Sequence, residues 1–321
     1  MLLTIWCNAQ LTDKATEQLI SATQEHRLVF GERVSNLSRA VPDPRVEEAE
    51  VVFGQPDPEQ MIALENVRWM HITSAGYTRY DRDDLLSALR SRGAAFTNSS
   101  SVYNEPCAQH VLAFMLAHAR QLPASLADQL GSRAWVYGDL RPQTRVLRGE
   151  TVLLLGFGAI AQRLVQLLEP FGMRIVAVRQ SVRGDESVET VPVSSLEAVI
   201  GSADYIVDTL PARASTEGLL SRQFLDLIKP SALFYNIGRG TTVDQDALVA
   251  ALNSGRLAAA YLDVTEPEPL PADHPLWSAR NCFITPHIGG GFAREYEGLV
   301  EHFLGNVRRY VEGERLVDRI V

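Results

Sequence analysis

The stretch from Thr151 to Arg179, TVLLLGFGAIAQRLVQLLEPFGMRIVAVR, leaves this chain the fewest ways to fold. Val152 to Leu155 is a short apolar run of the length and branching of a buried strand. Gly156, Gly158 and Ala161 follow at the G-x-G-x-x-G/A spacing. Ile160, Leu164, Val165 and Leu168 then recur at helical intervals, and Ile175 to Val178 supplies a second apolar run. Strand, turn, helix and strand in this order predict a βαβ unit. In such a unit the first glycine permits the tight turn, the second lets a pyrophosphate approach the backbone, and the small third residue lets helix pack on strand. The helix start offers unpaired N–H groups and a partial positive charge to phosphates. A dinucleotide site is the expectation; a purely structural glycine turn is the competing reading, and the strand-turn-helix context counts against it.

The end of the second strand bears on which dinucleotide. An Asp or Glu there bonds a ribose 2′-OH, whereas an Arg accommodates a 2′-phosphate. The sequence has Arg179, then Gln180, Ser181 and Arg183, with no carboxylate before Asp185. A guanidinium can pair with a phosphate through two N–H bonds. NADP(H) is therefore the expected cofactor, with NAD(H) possible. An ordinary exposed arginine is the alternative, since arginines far outnumber the two lysines, Lys14 and Lys229.

At 321 residues the chain has room for two domains. A net charge of −9 argues against a general nucleic-acid or anionic-membrane surface. An acidic protein with anionic ligands must then supply positive charge locally, so single arginines matter. Cys7, Cys107 and Cys282 are too scattered for a metal site or a disulfide framework. No apolar stretch approaches membrane-spanning length, and the opening MLLTIW lacks the pattern of a secretory signal, so a cytoplasmic location is expected.

Residues 1 to 100 read as alternating strands and helices: Leu2–Trp6, Val51–Phe53, Trp69–Thr73 and Ala95–Thr97 are strand-like, while Asp13–Ser21, capped by Thr12, and Asp83–Arg92 are helical. Such alternation predicts an α/β fold with a parallel sheet. Gln55-Pro56-Asp57-Pro58 reads as a turn, Asn98 to Ser101 as a polar crossing, and Asn104 onward as a long apolar helix. Residues 122 to 148 show poor periodicity and suggest an excursion toward a partner subunit. Strands at Tyr205–Asp208, Ala232–Tyr235, Ala258–Leu262 and Cys282–Ile284, with helices between them, complete an open doubly wound sheet. Ligands on such sheets sit beyond the strands' carboxyl ends.

Three of those ends carry unusual chemistry. Asn236-Ile237-Gly238-Arg239-Gly240 places an arginine between two glycines; Leu262-Asp263-Val264 leads into the acid-proline run Thr265 to Pro271, ordinarily a solvated loop; and Thr285-Pro286-His287-Ile288-Gly289 sets a histidine before a glycine turn. Together with GFGAIAQRL and LPARASTEGL, these segments resemble the D-isomer-specific 2-hydroxyacid dehydrogenase family over most of the chain. The resemblance implies a Rossmann cofactor domain, residues 101 to 289, inserted into a flavodoxin-like substrate domain of residues 1 to 100 plus 290 to 321. It implies Arg239, Glu268 and His287 as the catalytic set, Glu268 in preference to Glu266. His287 would protonate a ketone oxygen, Glu268 would orient the ring and stabilise the imidazolium, and Arg239 would clamp a 2-oxo acid carboxylate. Ala75 and Gly76 would offer a second carboxylate anchor, and Tyr77 would either shape the pocket or pack on its own domain. Ala159 and Ile160 at the helix start, with Leu210, Pro211, Ile237, Asp263 and Gly289, would contact the cofactor.

The family likeness implies a homodimer, with Trp135 in an arm that leans toward the neighbouring subunit. The chain departs from the family at Gln109, where a Glu is common, and at Cys107, where a small apolar residue is usual. The activity expected is NAD(P)H-dependent reduction of a glyoxylate- or hydroxypyruvate-like 2-oxo acid to the D-2-hydroxy acid. The alternatives are a phosphite dehydrogenase-like oxidoreductase and a dinucleotide-sensing corepressor-like platform, which shares the fold and the three side chains.

Overall fold

The computed structural model describes residues 2–36, 38 and 40–321. It divides into two compact units, one of Met1–Tyr103 with Phe292–Val321 and one of Asn104–Gly291. The first is built on five parallel strands: β1 (Thr4–Ala9), β2 (Arg27–Val34), β3 (Val51–Gly54), β4 (Trp69–Ile72) and β5 (Ala95–Thr97). Their order, β2-β1-β3-β4-β5, is the flavodoxin-like one. Apolar side chains cover both faces: Leu3, Ile5, Phe53 and Trp69 pack under helix Glu295–Glu312 through Val300 and Phe303, and Trp6, Val52, Met70 and Phe96 pack under helix Asp83–Ser91 through Leu85 and Leu89. Both faces being dry, the central strands read as continuous apolar runs.

The second unit holds seven parallel strands: β6 (Thr151–Leu155), β7 (Arg174–Arg179), β8 (Glu189–Pro192), β9 (Tyr205–Asp208), β10 (Leu233–Asn236), β11 (Ala259–Leu262) and β12 (Cys282–Ile284). Their order is β12-β11-β10-β9-β6-β7-β8, the doubly wound pattern with one strand added at an edge. The order reverses between β6 and β9, so the crevice for a ligand opens beyond Leu155 and Asp208.

Several local expectations are corrected. The edge strands β2 and β8 carry mostly exposed or half-buried residues and so lack the apolar signature of their neighbours. Gln55 to Pro58 is not only a turn: Asp57 accepts from Gln60 N and caps helix Pro58–Ala63, with Pro58 at its first position. The long helix begins at Ser100, within the segment read as a polar crossing. The stretch after residue 122 opens with a regular helix, Leu122–Leu130, in which no residue is buried. Among the described residues no helix is long and apolar enough to cross a membrane.

Candidate active site

All the unusual segments of the second unit lie at the carboxyl end of one sheet. Arg239 follows β10, and the glycines beside it are required by its neighbours. A Cβ on Gly238 would stand 2.6 Å from the Leu210 carbonyl oxygen, in the segment after β9. One on Gly240 would stand 2.0 Å from the Thr265 carbonyl carbon, in the segment after β11. Both are far inside van der Waals contact, so the arginine is wedged between two backbones. Its carbonyl accepts from Asn236 Nδ2 at 2.9 Å and Thr242 Oγ1 at 2.6 Å, and its own Nη1 donates to Gly238 O at 2.6 Å. Burial pulls the guanidinium below its ordinary pKa, against the opposing fields of Glu268 and Cys107. A guanidinium starts so high that it stays charged.

The histidine and the carboxylate meet. His287 Nδ1 lies 2.7 Å from Glu268 Oε2, with both side chains about one-third exposed, at 35% and 34%. The other oxygen, Glu268 Oε1, accepts from Thr265 N at 3.0 Å. Burial raises the pKa of Glu268, but the bonds from His287 and Thr265 and the charges of His287 and Arg239 outweigh it, leaving the carboxyl below its ordinary range. His287 has φ +53°, a left-handed conformation uncommon for a residue with a side chain. Two backbone acceptors, Asp263 O and Thr285 O, each 2.9 Å from His287 N, hold it there. Strained backbones of this kind gather at functional sites.

Asp263 builds the same turn. Only 5% exposed, its carboxylate accepts from Thr285 Oγ1 (2.7 Å), Ile288 N (2.9 Å) and Gly289 N (2.8 Å). The carboxylate expected beside a cofactor is thus committed to three internal donors. Ile237 and Gly289 lie together, since a Cβ on Gly289 would fall 2.3 Å from Ile237 Cδ1.

The residues at the β6 end fit a dinucleotide. Gly156 has φ +90°, which an L side chain resists. At Gly158 an added Cβ would meet nothing within 4 Å, so internal packing does not require the glycine and the space beside it is open. Helix Ala159–Leu168 starts with no side-chain cap on Gly158, and the N–H groups of Ala159, Ile160 and Ala161 have no acceptor among the described residues. Such a terminus suits phosphate oxygens. Leu210 and Pro211 stand across the switch point, after β9.

Arg179 ends β7, as expected, but it has a partner that sequence reading missed. Its Nη1 donates to Glu186 Oε1 at 3.0 Å. That carboxylate, 4% exposed, also accepts from the backbone N–H groups of Arg183 and Gly184, each at 2.8 Å, and these bonds lower its pKa. Gly184 at φ +87° turns the chain back, which is how a residue seven positions on returns to the strand end.

In the first unit, the turn after β4 is held by Ser74 Oγ donating to Gly76 O (2.8 Å) and Asn98 Nδ2 donating to Ala75 O (2.6 Å). The N–H groups of Ala75 and Gly76 have no acceptor among the described residues. Tyr77, half-buried, sets its ring edge-on to Phe96, centroids 6.0 Å apart, against the core of its own unit.

Comparison with known proteins agrees with this geometry. The family model described as "D-isomer specific 2-hydroxyacid dehydrogenase, NAD binding domain" matches residues 112–289. The chain belongs to that family. The dehydrogenase is 35% identical over 241 residues to glyoxylate/hydroxypyruvate reductase B of Yersinia pseudotuberculosis, covering 74% of this chain and 72% of that one. It is 34% identical over 212 residues to the human glyoxylate reductase/hydroxypyruvate reductase, covering 65% and 64%. Among solved structures, a D-isomer specific 2-hydroxyacid dehydrogenase from Xanthobacter autotrophicus, in complex with NADPH and MES, superposes with a TM-score of 0.82 at 25% identity, covering 100% and 98%. The protein is therefore an oxidoreductase that binds a nicotinamide dinucleotide and reduces 2-oxo acids.

Proposed function

We propose that this dehydrogenase reduces a small 2-oxo acid of the glyoxylate or hydroxypyruvate kind to the D-2-hydroxy acid, preferring NADPH, with His287 as proton donor. The observation that carries the reading is the 2.7 Å contact between His287 Nδ1 and Glu268 Oε2, with Arg239 close enough for its charge to act on the same carboxylate. Bound reduced nicotinamide supplies the hydride. Glu268, accepting at Nδ1, fixes the imidazole and stabilises its charged form, so that Nε2–H is the proton offered to the ketone oxygen. Arg239 has spent one donor on Gly238 O and keeps the rest for the substrate carboxylate, a planar match that lysine lacks. In the domain of residues 1 to 100 plus 290 to 321, the Ala75 and Gly76 N–H groups are the proposed second carboxylate anchor. Tyr77 borders it.

On the cofactor side, in the domain of residues 101 to 289, the pyrophosphate rests on the start of helix Ala159–Leu168, and the 2′-phosphate is taken by Arg179 through the donors that Glu186 leaves free. The relatives named as glyoxylate/hydroxypyruvate reductases support the substrate, and the neighbour in complex with NADPH supports the cofactor. The functional molecule is a cytoplasmic homodimer. Helix Leu122–Leu130, with no buried residue, and Trp135, 94% exposed, form the apolar arm that a second copy would cover.

Steady-state oxidation of NADPH and of NADH by the purified protein over a panel of 2-oxo acids tests the proposal. Turnover of glyoxylate or hydroxypyruvate, faster with NADPH, is expected. Failure with every member of the panel would sink the substrate reading, and a preference for NADH would remove the role given to Arg179.

A further inference from the structure

Asp208, the last residue of β9, is fully buried, and no role has been given to it. Its Oδ1 accepts from Leu210 N at 2.9 Å, and its Oδ2 is in hydrogen-bond contact with Thr242 Oγ1. The same Thr242 hydroxyl lies 2.6 Å from the carbonyl oxygen of Arg239. A threonine hydroxyl has one proton, and a carbonyl oxygen has none to give. At the contact with Arg239 O the proton must therefore come from Thr242. That leaves the contact between Thr242 and Asp208 with no proton unless the carboxyl group carries one.

We infer that Asp208 is held as the neutral acid in the folded protein and is a positioning residue for Arg239, donating from Oδ2 to Thr242, which donates to the Arg239 carbonyl. Oδ1, the carbonyl-like oxygen of the acid, then takes the Leu210 N–H, and every polar atom in the chain of bonds is satisfied. The surroundings agree. β6 brings Leu155 beside Asp208 and β10 brings Asn236, both uncharged. The segments after β9 and β10 offer only the Leu210 N–H and the Thr242 hydroxyl, and no charged side chain is among the causes of its shift. Burial, opposed by those two bonds, pushes the carboxyl up to about 7.

The relay joins the two segments that must stay in register. Leu210 stands on the side proposed for the cofactor and Arg239 on the side proposed for the substrate, and their backbones already touch at Gly238. When Asp208 ionises, the Thr242 hydroxyl turns to the carboxylate, and Arg239 O keeps Asn236 Nδ2 at 2.9 Å and the long contact from Thr242 N at 3.4 Å. Arg239 is then less firmly placed, and the apparent affinity for the 2-oxo acid falls as pH rises. In linkage terms, a carboxyl raised on folding contributes stability that is complete below its ordinary range and is lost as pH rises through about 7.

Only the kinetic part of this inference rests on the function proposed for Arg239; the protonation itself is read without turnover. Asp208→Asn mimics the neutral acid, with an amide N–H toward Thr242 and an oxygen toward Leu210. Thermal unfolding of wild type and Asp208→Asn from pH 4 to pH 8.5 is the first measurement. The wild type should lose Tm relative to the variant as pH rises to about 7, then run parallel to it. A wild type that runs parallel to the variant over that range, or gains on it, would mean an ionised Asp208 and would overturn the inference. Should the variant not fold, the infrared carbonyl band of a protonated carboxyl decides on wild type alone: present at pH 6 and gone by pH 8.5 supports it, absent at pH 6 overturns it.

In kinetics, wild-type KM for the 2-oxo acid should rise roughly tenfold between pH 6 and 8.5, the scale of one buried hydrogen bond, with a smaller change in kcat. Asp208→Asn should flatten that rise, and Asp208→Ala should show the high KM already at pH 6. An unfolding profile as expected with no difference in KM behaviour would leave the proton where it is and remove its link to Arg239.

Discussion

The segment after β7 and the segments after β10, β11 and β12 leave the same edge of one sheet, yet they are secured very differently. Arg239 is wedged between two backbones, its carbonyl accepts from two side chains, and His287 is fixed through Glu268, Asp263 O and Thr285 O. Arg179 is tied to its loop by one side chain, Glu186, whose carboxylate gathers the guanidinium and two backbone N–H groups. The groups proposed to do chemistry are over-determined, while the group proposed to choose the cofactor hangs on a single carboxylate. Geometry at a reacting centre must hold to a fraction of an ångström, whereas discrimination of one phosphate group tolerates more.

The largest effect that would test this contrast is expected at the histidine. His287→Asn should lower kcat with NADPH and glyoxylate by about 10³-fold, the scale of a lost general acid, while NADPH binding, followed by fluorescence titration, stays intact. Next comes the wedge: Gly240→Ala drives a Cβ into the Thr265 carbonyl, so Tm should fall by roughly 4–8 °C, for an overpacking cost of about 2 kcal/mol, and kcat should fall with it. A variant as stable and as active as wild type would show that the segments after β10 and β11 are not locked together.

Glu268→Gln keeps a hydrogen-bonding oxygen but removes the charge that stabilises the imidazolium. About a 10-fold to 100-fold loss in kcat/KM is expected in steady-state kinetics with NADPH and glyoxylate. The smallest effect belongs to the looser region. Glu186→Gln removes a negative charge beside the proposed 2′-phosphate site, so the ratio of kcat/KM for NADPH over NADH should rise about fivefold, with kcat nearly constant. A fall in that ratio would mean that Glu186 serves mainly to aim Arg179.

How far the sequence could be read follows the same division. The glycine turn, the buried strands and the ends of β10 to β12 announce themselves, because a dry strand must be apolar and a wedged loop must carry glycine; the apolar pattern bounds β12 at Cys282 and Ile284, where the strand lies. The pairing of His287 with Glu268 came from resemblance, since nineteen positions of loop and strand separate them and no spacing rule joins them. Glu186 escaped notice because a turn brings it back to a strand end from which it is seven residues distant. Asp208 escaped because its chemistry depends on burial and on Thr242, neither of which a strand-terminal aspartate advertises. Helix Leu122–Leu130 lies in a stretch of poor periodicity because, with no residue buried, no face of it is marked out against a core.

The two glycines flanking Arg239 also limit how this enzyme can be re-engineered. Neither accepts a side chain without moving a neighbouring segment, so a library randomised across 237–240 would return folded members varied chiefly at Ile237 and Arg239. New substrate range would have to be sought in residues outside that loop, and transplanting the loop into a relative would carry its arginine faithfully only if the stretches around Leu210 and Thr265 travelled with it.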